Sequence, residues 1–370
     1  MKNKVLTIVF LILVFGIALL QIVIPDKVYS KSEKRMLSKL SEFSFENFYS
    51  GKFTSSVEDY ISDQFVGRDG FVTAKTMMSI LMQKKDSGGV YFAKDGYLIE
   101  IHKNVKESQY KKNLAHIEEF AKKMKELRQD RRVTLLPVPS ASWTLRDKLP
   151  RFAANVNQKA LIDLAKEYDI DVLDITDALY DKKNEYIYYK TDHHWTSYGA
   201  YLGYVEYMKH VGKKPRSLSD FTKETLCTNF RGTTYSKVNL FFAPFDEIDA
   251  YYMDLFYKVS YNSDTYVTDS IYERSYLEGK DQYAVFLNSN QELTHIEGNG
   301  TGSILILKDS YANCFAQFLP EEYKDIYLID LRFYTGSVEE FVEENDIDEI
   351  LFLYNVPNLA EDKNVIRCTK

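Results

Sequence analysis

The feature that most constrains this chain is residues 303–318, where a short apolar run leads through a polar turn into a second apolar segment. The run at 304–307 is too short for a helix and has the aliphatic side chains of a buried strand. From 312 to 319 apolar residues recur at intervals of three and four, which predicts a helix. Ser310 is therefore expected at a strand-to-helix turn, where its hydroxyl stands above the sheet beside the N–H groups of the helix start. A nucleophile and an oxyanion hole would be placed there.

A second stretch, residues 188–196, offers what a serine nucleophile requires. A serine hydroxyl is activated by a base, and the base by a group that orients it. Asp192 and His194 are two residues apart, and on extended backbone such side chains point to the same side. Strand-like residues at 186–190, followed by Thr196 as a helix N-cap, favour extended backbone here.

Other interpretations of these residues stay open at this stage. Ser310 could serve only as a helix N-cap, and His194 could be a core histidine satisfied by Asp192. On extended backbone His193 points away from His194, which favours a structural role. A metal site built on Asp192, His193 and His194 would need further ligands from distant sequence. Trp195 is expected to pack beneath the histidine rather than to serve as a sugar platform.

Composition excludes several classes of protein. The chain has 370 residues, of which 45% are hydrophobic and 27% charged, as in ordinary globular proteins. Its net charge of -7 does not favour nucleic-acid binding. Three widely spaced cysteines argue against a disulfide framework and against a structural zinc site. We expect neither a metal nor a cofactor.

An uncharged run at residues 5–24 is long enough to span a bilayer once. Lys2 and Lys4 precede it, which favours a cytoplasmic N-terminus. The alternative is a secretory signal peptide, but the run is long and no small-x-small cleavage site follows. The sequence predicts a single-pass anchor, with the bulk of the chain outside the cytoplasm at the cell membrane.

The rest of the chain predicts an α/β fold. Strands are expected at 133–138, 171–174, 304–307, 325–329 and 349–354, alternating with helices, and this alternation indicates a parallel sheet flanked by helices. We expect a cytoplasmic tip and transmembrane anchor at 1–26, a juxtamembrane helical stalk at 27–89, and an α/β domain at 90–370. That domain begins with a hairpin around Lys94-Asp95-Gly96. The segment at about 215–302 interrupts the alternation and is expected to be a mixed insertion folded over the site.

Several motifs resemble those of a known family. TDHHWTSYGAY (191–201) is similar to the signature of the DHHW protein family, which is related to the SGNH-hydrolase-like O-acetylation proteins of alginate and other exopolysaccharide systems. LKDSYANCF (307–315) resembles the nucleophile block of that superfamily, and LLPVPSASWTLRDKLP (135–150) its early strand and loop. FRGTTYSK, DLRFY, LFLYN and the juxtamembrane SEKRML with YISDQFVGRD are further similar blocks. An Asp-x-His before the serine matches the order of the alginate branch.

The resemblance implies an SGNH-like fold with Ser310 as nucleophile, His194 as base and Asp192 as the residue that orients it. It implies an O-acetyltransferase that acts on extracellular polysaccharide and receives acetyl groups from a multi-pass membrane acyltransferase. Oxyanion donors are expected from the backbone N–H groups of Ser310 or Tyr311, or from the side chains of Asn313 or Asn355.

Three further alternatives remain at this stage. Arg332 either contacts an acyl group or uronate carboxylate or forms a surface ion pair. The same triad could belong to an esterase that removes acetyl groups. The chain could also be a non-catalytic scaffold for the polysaccharide or the acyltransferase.

Overall fold

The computed structural model describes residues 2–30, 35–253 and 257–369. Contacts within the chain divide it into two compact units. One consists of Met1–Gly88 with Tyr235–Phe242, and the other of Gly89–Thr234 with Ala243–Lys370.

The first unit begins with the apolar helix α1, Lys2–Val23, whose stretch Lys4–Gln21 has a mean hydropathy of 2.4. Among the described residues it is the one helix that is long and apolar enough to cross a membrane, although a signal sequence has the same properties. The Gln21 amide donates to the Gln64 carbonyl at 2.9 Å and accepts the Val66 N–H at 3.1 Å. The other elements are β1 Tyr29–Ser30, β2 Arg35–Met36, α2 Phe45–Tyr49, α3 Lys52–Gln64, α4 Arg68–Leu81 and β3 Asp86–Ser87.

After β3, strands and helices alternate along much of the chain. In chain order they are β4 Val90–Phe92, β5 Leu98–Glu100, α5 Glu107–Leu127, β6 Arg132–Val138, α6 Ala141–Thr144, α7 Gln158–Ala165, β7 Asp171–Val172, α8 Thr176–Asp181, α9 Ser197–His210, β8 Thr222–Phe230, α10 Thr233–Val238, β9 Asp246–Tyr252, β10 Lys258–Tyr261, β11 Tyr266–Thr268, β12 Leu293–Glu297, β13 Ser303–Lys308, α11 Tyr311–Phe315, β14 Asp325–Ile329, α12 Val338–Glu344, β15 Glu349–Asn355 and α13 Val356–Glu361. The hairpin predicted around Lys94-Asp95-Gly96 is confirmed, since β4 and β5 pair in antiparallel register. The predicted helix after Ser310 is present, but α11 has only five residues before a 3-10 turn.

Eight strands form the main sheet, in the order β11-β10-β12-β14-β13-β15-β6-β7. The five strands from β14 to β7 are parallel, as the alternation predicts. The first three are antiparallel, so the fold is mixed α/β rather than built on a purely parallel sheet. These three come from the segment expected to be an insertion folded over the site. That expectation is wrong for them, because β12 pairs along β14 from Leu293↔Ile329 to Glu297↔Asp325 and extends the sheet.

Side chains alternate between the two faces of β13. Ile304 and Ile306 lie in a core with residues of α9 and α11, whereas Leu305 and Leu307 lie in a second core with residues of α5 and α12. Burial on both faces explains the continuous apolar run of this strand. Because β13, β15 and β6 are parallel, their carboxyl ends meet at one edge, where such folds place their sites.

Candidate active site

The Ser310 turn, residues 309–311, follows β13 at this edge and is held by the buried carboxylate of Asp309. One Asp309 oxygen accepts the Tyr311 N–H at 2.9 Å. The other accepts the Asn355 N–H at 2.9 Å and the Asn358 amide at 2.8 Å. Burial raises the pKa of Asp309, which these donors partly offset. Asp309 thus ties the nucleophile candidate to the end of the neighbouring strand β15.

Asp192 and His194 lie in the His loop, residues 190–196. The extended strand expected before them is absent, since among residues 186–190 only Tyr188 forms a bridge, to Trp195. The loop bends instead, and an Asp192 oxygen accepts both the His194 N–H at 3.0 Å and the His194 Nδ1–H at 2.5 Å. A short carboxylate side chain that bonds the backbone two residues on stabilises such a turn.

A second buried carboxylate, Asp246 on β9, fixes the start of the His loop. It accepts the N–H groups of Lys190 at 2.8 Å and Thr191 at 2.7 Å. The hydroxyls of Thr191 and Tyr186 donate to it as well, both at 2.5 Å. At the other end Thr196 is the N-cap of α9, as the sequence predicts, and accepts the Gly199 N–H at 3.2 Å.

The two segments meet at the hydroxyl of Ser310. His194 Nε2 lies 2.7 Å from Ser310 Oγ. The Ser310 hydroxyl does not cap α11, so capping does not account for this serine.

The second Asp192 oxygen accepts the Thr233 N–H at 2.7 Å and its hydroxyl at 2.9 Å. Residue 232 must be glycine, because a Cβ there would lie 2.1 Å from Asp192 Oδ2.

Burial and the neighbouring charges set the protonation of the pair. Burial first, and then the adjacent His193, lower the pKa of His194 to about 4, despite the opposing effect of Asp192. Burial alone would raise the pKa of Asp192, but the two histidines and the Thr233 N–H hold it well below the ordinary value. At neutral pH the arrangement is a carboxylate, a neutral imidazole with its proton on Nδ1, and a hydroxyl that donates to Nε2.

His193 does not point away from His194, contrary to the expectation for extended backbone. Its ring centroid lies 3.8 Å from that of His194, and its Nδ1 lies 2.6 Å from the Thr233 hydroxyl. The bend in the loop brings the two rings together. Asp192, His193 and His194 could geometrically hold a metal ion, since one ligand atom from each lies within 4.8 Å of the others. Those atoms are however engaged with one another and with Thr233 and Ser310.

Two aromatic residues support the histidine. Trp195 is fully buried, and its Nε1–H donates to the Tyr311 carbonyl at 2.9 Å, so it packs in the core and is no sugar platform. Tyr283 was not predicted to belong to the site. Its ring stacks on His194 with centroids 3.8 Å apart and planes at 9°, and its hydroxyl donates to the Ser310 carbonyl at 3.0 Å. The sequence showed only a β-prone aromatic run there, with no polar pattern to single out Tyr283.

The four residues predicted to bind substrate or oxyanion have different surroundings. The Tyr311 N–H is already bonded to Asp309. Asn313 faces Ser289 and Asn290 through its amide nitrogen, while its amide oxygen is buried without a partner among the described residues. Arg332 forms a bidentate ion pair with the buried Asp330, which matches the ion-pair alternative. Asn355 lines the cleft described next.

A cleft lies beside Asp192 and Tyr311. It is lined by Leu98, Ile99, Glu100, His102, Ser140, Ala141, Ser142, Asp192, His193, Tyr311, Asn355 and Asn358. The hairpin strand β5 reaches it because the Leu98 N–H donates to the Lys190 carbonyl at 2.7 Å. Ser140 and Ser142 were not predicted, although their place just after β6 on the carboxyl edge could have indicated them.

Solved structures with a similar fold support this architecture. A DHHW family protein from Eubacterium siraeum superposes with a TM-score of 0.66 and 23% identity, over 77% of this chain and 96% of that one. Bacillus cereus PatB1 with a sulfonyl adduct superposes with a TM-score of 0.63 and 20% identity, over 76% of this chain and all of that one. At these identities the likeness establishes a shared fold. The O-acetyltransferase domain of Pseudomonas putida AlgJ gives a TM-score of 0.47 at 14% identity, over 74% of this chain and 93% of that one.

No curated protein matches the chain in sequence. The family model for the DHHW protein matches residues 33–91 and 88–329, which is well over half of the chain and includes the His loop and the Ser310 turn. The chain therefore belongs to the DHHW protein family.

Proposed function

We propose that this protein is an O-acetyltransferase that modifies polysaccharide through an acetyl ester on Ser310. The observation that carries the proposal is the continuous hydrogen-bonded series from Asp192 through His194 to Ser310, with contacts of 2.5 and 2.7 Å. Two similarities support the choice of acetyl as the acyl group and of polysaccharide as the acceptor. The chain belongs to the DHHW family, and its motifs are similar to those of exopolysaccharide O-acetylation proteins.

In the first half-reaction Ser310 Oγ attacks the acetyl carbonyl of the donor while His194 Nε2 takes the hydroxyl proton. The imidazolium, held by Asp192, then protonates the leaving group as its bond to the acetyl carbon breaks. The backbone N–H of Ser310 has no hydrogen-bond partner among the described residues, and we assign it as an oxyanion donor. The Tyr311 N–H is unsuited to this role because it is bonded to Asp309.

In the second half-reaction a sugar hydroxyl enters from the cleft and His194 removes its proton. The new alkoxide attacks the acetyl-serine carbonyl, and the proton on His194 returns to Ser310 Oγ as that bond breaks. Asp192 stays ionised throughout and fixes the tautomer of His194. An esterase would use water in place of the sugar, so the two activities differ only in the acceptor.

We further propose that α1 anchors the enzyme in the cell membrane, with its N-terminus in the cytoplasm and the catalytic unit outside. The apolar 18-residue stretch Lys4–Gln21 supports this placement. We also propose that the acetyl groups come from a multi-pass membrane acyltransferase, as the resemblance to exopolysaccharide O-acetylation proteins implies.

Intact mass of the protein after exposure to p-nitrophenyl acetate tests the proposal. The wild type should gain one acetyl group, and Ser310→Ala should gain none at that position. A matched control is Ser303→Ala, which removes a buried serine at the opposite end of β13 and should still be acetylated. A folded wild type that forms no adduct and releases no p-nitrophenolate would refute the proposal in favour of a non-catalytic scaffold. Added oligosaccharides separate transfer from hydrolysis.

A further inference from the structure

Ser140, Ser142 and Gln158 form a hydrogen-bonded group at the carboxyl end of β6. Gln158 is fully buried, and the two serines are 5% and 2% exposed. The Gln158 amide oxygen accepts the Ser140 N–H at 2.8 Å. Its amide nitrogen lies 2.7 Å from Ser140 Oγ and 3.2 Å from Ser142 Oγ. The two hydroxyl oxygens are 2.9 Å apart.

The hydrogen bonds within this group leave one serine hydroxyl proton without an acceptor. The Ser140 N–H fixes the orientation of the Gln158 amide, so its nitrogen must donate to both serine oxygens. One serine hydroxyl proton then bonds the other serine. The remaining hydroxyl proton has no acceptor among the described residues. Both serines line the cleft, so this proton is available to a ligand there.

The position of the group decides which ligand atom it meets. Ser310 follows β13 and Ser140 follows β6, with β15 between them. Two strand spacings amount to about 10 Å. An oxyanion donor must lie about 3 Å from the oxyanion, so the serines are too far away to serve acetyl-serine chemistry directly. The separation suits instead a different oxygen of the sugar, or of its neighbour, whose hydroxyl attacks the acetyl group.

We infer that Ser140 and Ser142, oriented by Gln158, form an acceptor subsite that donates one hydrogen bond to an oxygen of a neutral pyranose. This inference rests on the proposed transfer to polysaccharide. Asn155 holds the same segment, since its amide donates to the Ser142 carbonyl at 2.6 Å, and its amide oxygen is buried without a partner in the described parts of the chain. The subsite therefore contributes to acceptor binding and leaves acetylation of Ser310 to the His loop and the Ser310 turn.

The test separates the two half-reactions in the full chain. Wild type and Ser140→Ala/Ser142→Ala are acetylated with p-nitrophenyl acetate, and transfer is measured to cellopentaose, xylopentaose and chitopentaose by mass of the oligosaccharides. The double variant should acetylate Ser310 at the wild-type rate and lose about tenfold in transfer, the order of one hydrogen bond to a ligand. Ser303→Ala should match the wild type in both steps.

The single variants Ser140→Ala and Ser142→Ala provide a second test, which remains available if the double variant does not fold. Each leaves one serine on the Gln158 amide with a proton still free, so each should lose less than threefold in transfer. Equal transfer in the double variant and wild type would overturn the inference, as would single variants that each lose transfer completely. So would a wild type that is acetylated but transfers to none of the three probes. A wild type that is not acetylated at all refutes the proposed function instead.

Discussion

The Ser310 turn and the His loop carry the two halves of one site but are built in different ways. The Ser310 turn continues the central strand β13, and its carboxylate Asp309 bonds the backbone of β15 beside it. The His loop belongs to no sheet, and its carboxylate Asp246 comes from β9, outside the main sheet. One segment is thus positioned mainly by regular secondary structure and the other by buried polar side chains.

This difference determines how much each segment depends on single residues. A turn between a sheet strand and a helix keeps its place through many backbone hydrogen bonds, so the loss of one side chain is partly compensated. The His loop also has backbone hydrogen bonds, at Lys190, His194 and Thr196, but its bend is set by side-chain bonds. These side-chain bonds are buried, where an unmade bond is costly. Substitutions in the His loop should therefore reduce activity more than matched substitutions in the Ser310 turn.

Among variants that keep the Ser310 hydroxyl, the largest effect is expected for Asp192→Asn. In Asp192 one oxygen accepts the His194 Nδ1–H and the other accepts the Thr233 N–H and hydroxyl. An asparagine amide has only one oxygen, so its NH2 group would face one of these donors. His194 would then adopt the wrong tautomer, and the rate of Ser310 acetylation should fall by about 10³- to 10⁴-fold. The burst of p-nitrophenolate measures this rate. A loss below tenfold in a folded variant would show that Asp192 does not orient the base.

The next prediction compares the two supporting carboxylates, Asp246 and Asp309. Asp246→Asn and Asp309→Asn are the same isosteric change at two buried sites, 2% and 4% exposed. Each places an amide donor against backbone donors and should cost about 1–3 kcal/mol of unfolding free energy. We expect Asp246→Asn to slow acetylation by tenfold or more, and Asp309→Asn by less than that.

Thermal unfolding and burst kinetics on both variants decide the comparison. Similar losses of stability with a larger kinetic loss for Asp246→Asn would agree with it. A larger kinetic loss for Asp309→Asn would mean that the sheet does not hold the Ser310 turn independently of its carboxylate.

The same difference explains what the sequence could predict. The β13 strand, the turn at Ser310 and the helix after it follow from apolar periodicity, because local pattern and burial agree there. The pairing of Asp192 with His194 was predicted on a wrong premise, since the bend comes from Asp246 and from the Asp192 carboxylate itself. Asp246 and Tyr283 could not be found, because both reach the site only through long-range contacts between segments without a recognisable pattern.

The pH dependence tests the buried state of His194. Because burial lowers its pKa to about 4, the imidazole remains an unprotonated base well below pH 6.5. The acetylation rate should stay nearly constant from pH 8 to 5, and fall about tenfold per pH unit only below 4. The unfolded chain takes up this proton near pH 6.5, so stability should decline as the pH falls from 6.5 toward 4. Burst rates with the Ser310→Ala background subtracted measure the profile, and a midpoint near 6.5 would contradict it.

The smallest effects are expected for two variants of Tyr283, which distinguish its ring contact with His194 from its hydroxyl contact with Ser310. Tyr283→Phe keeps the ring stacked on His194 and removes the hydroxyl that donates to the Ser310 carbonyl, so acetylation should slow only a few-fold with an unchanged pH midpoint. Tyr283→Leu removes the aromatic cover from His194. Water then reaches the imidazole, its pKa rises toward the ordinary value, and the acidic midpoint of the rate should move up by about one unit or more.

A merely structural role for Tyr283 would lower the rate of both variants without moving the midpoint. The outcome therefore bears on the comparison of the two segments. If the midpoint moves in Tyr283→Leu and not in Tyr283→Phe, the ring controls the electrostatics of the His loop while the hydroxyl holds the Ser310 turn. Tyr283, which lies outside both segments and contacts each of them, would then help to fix the base and the nucleophile relative to each other.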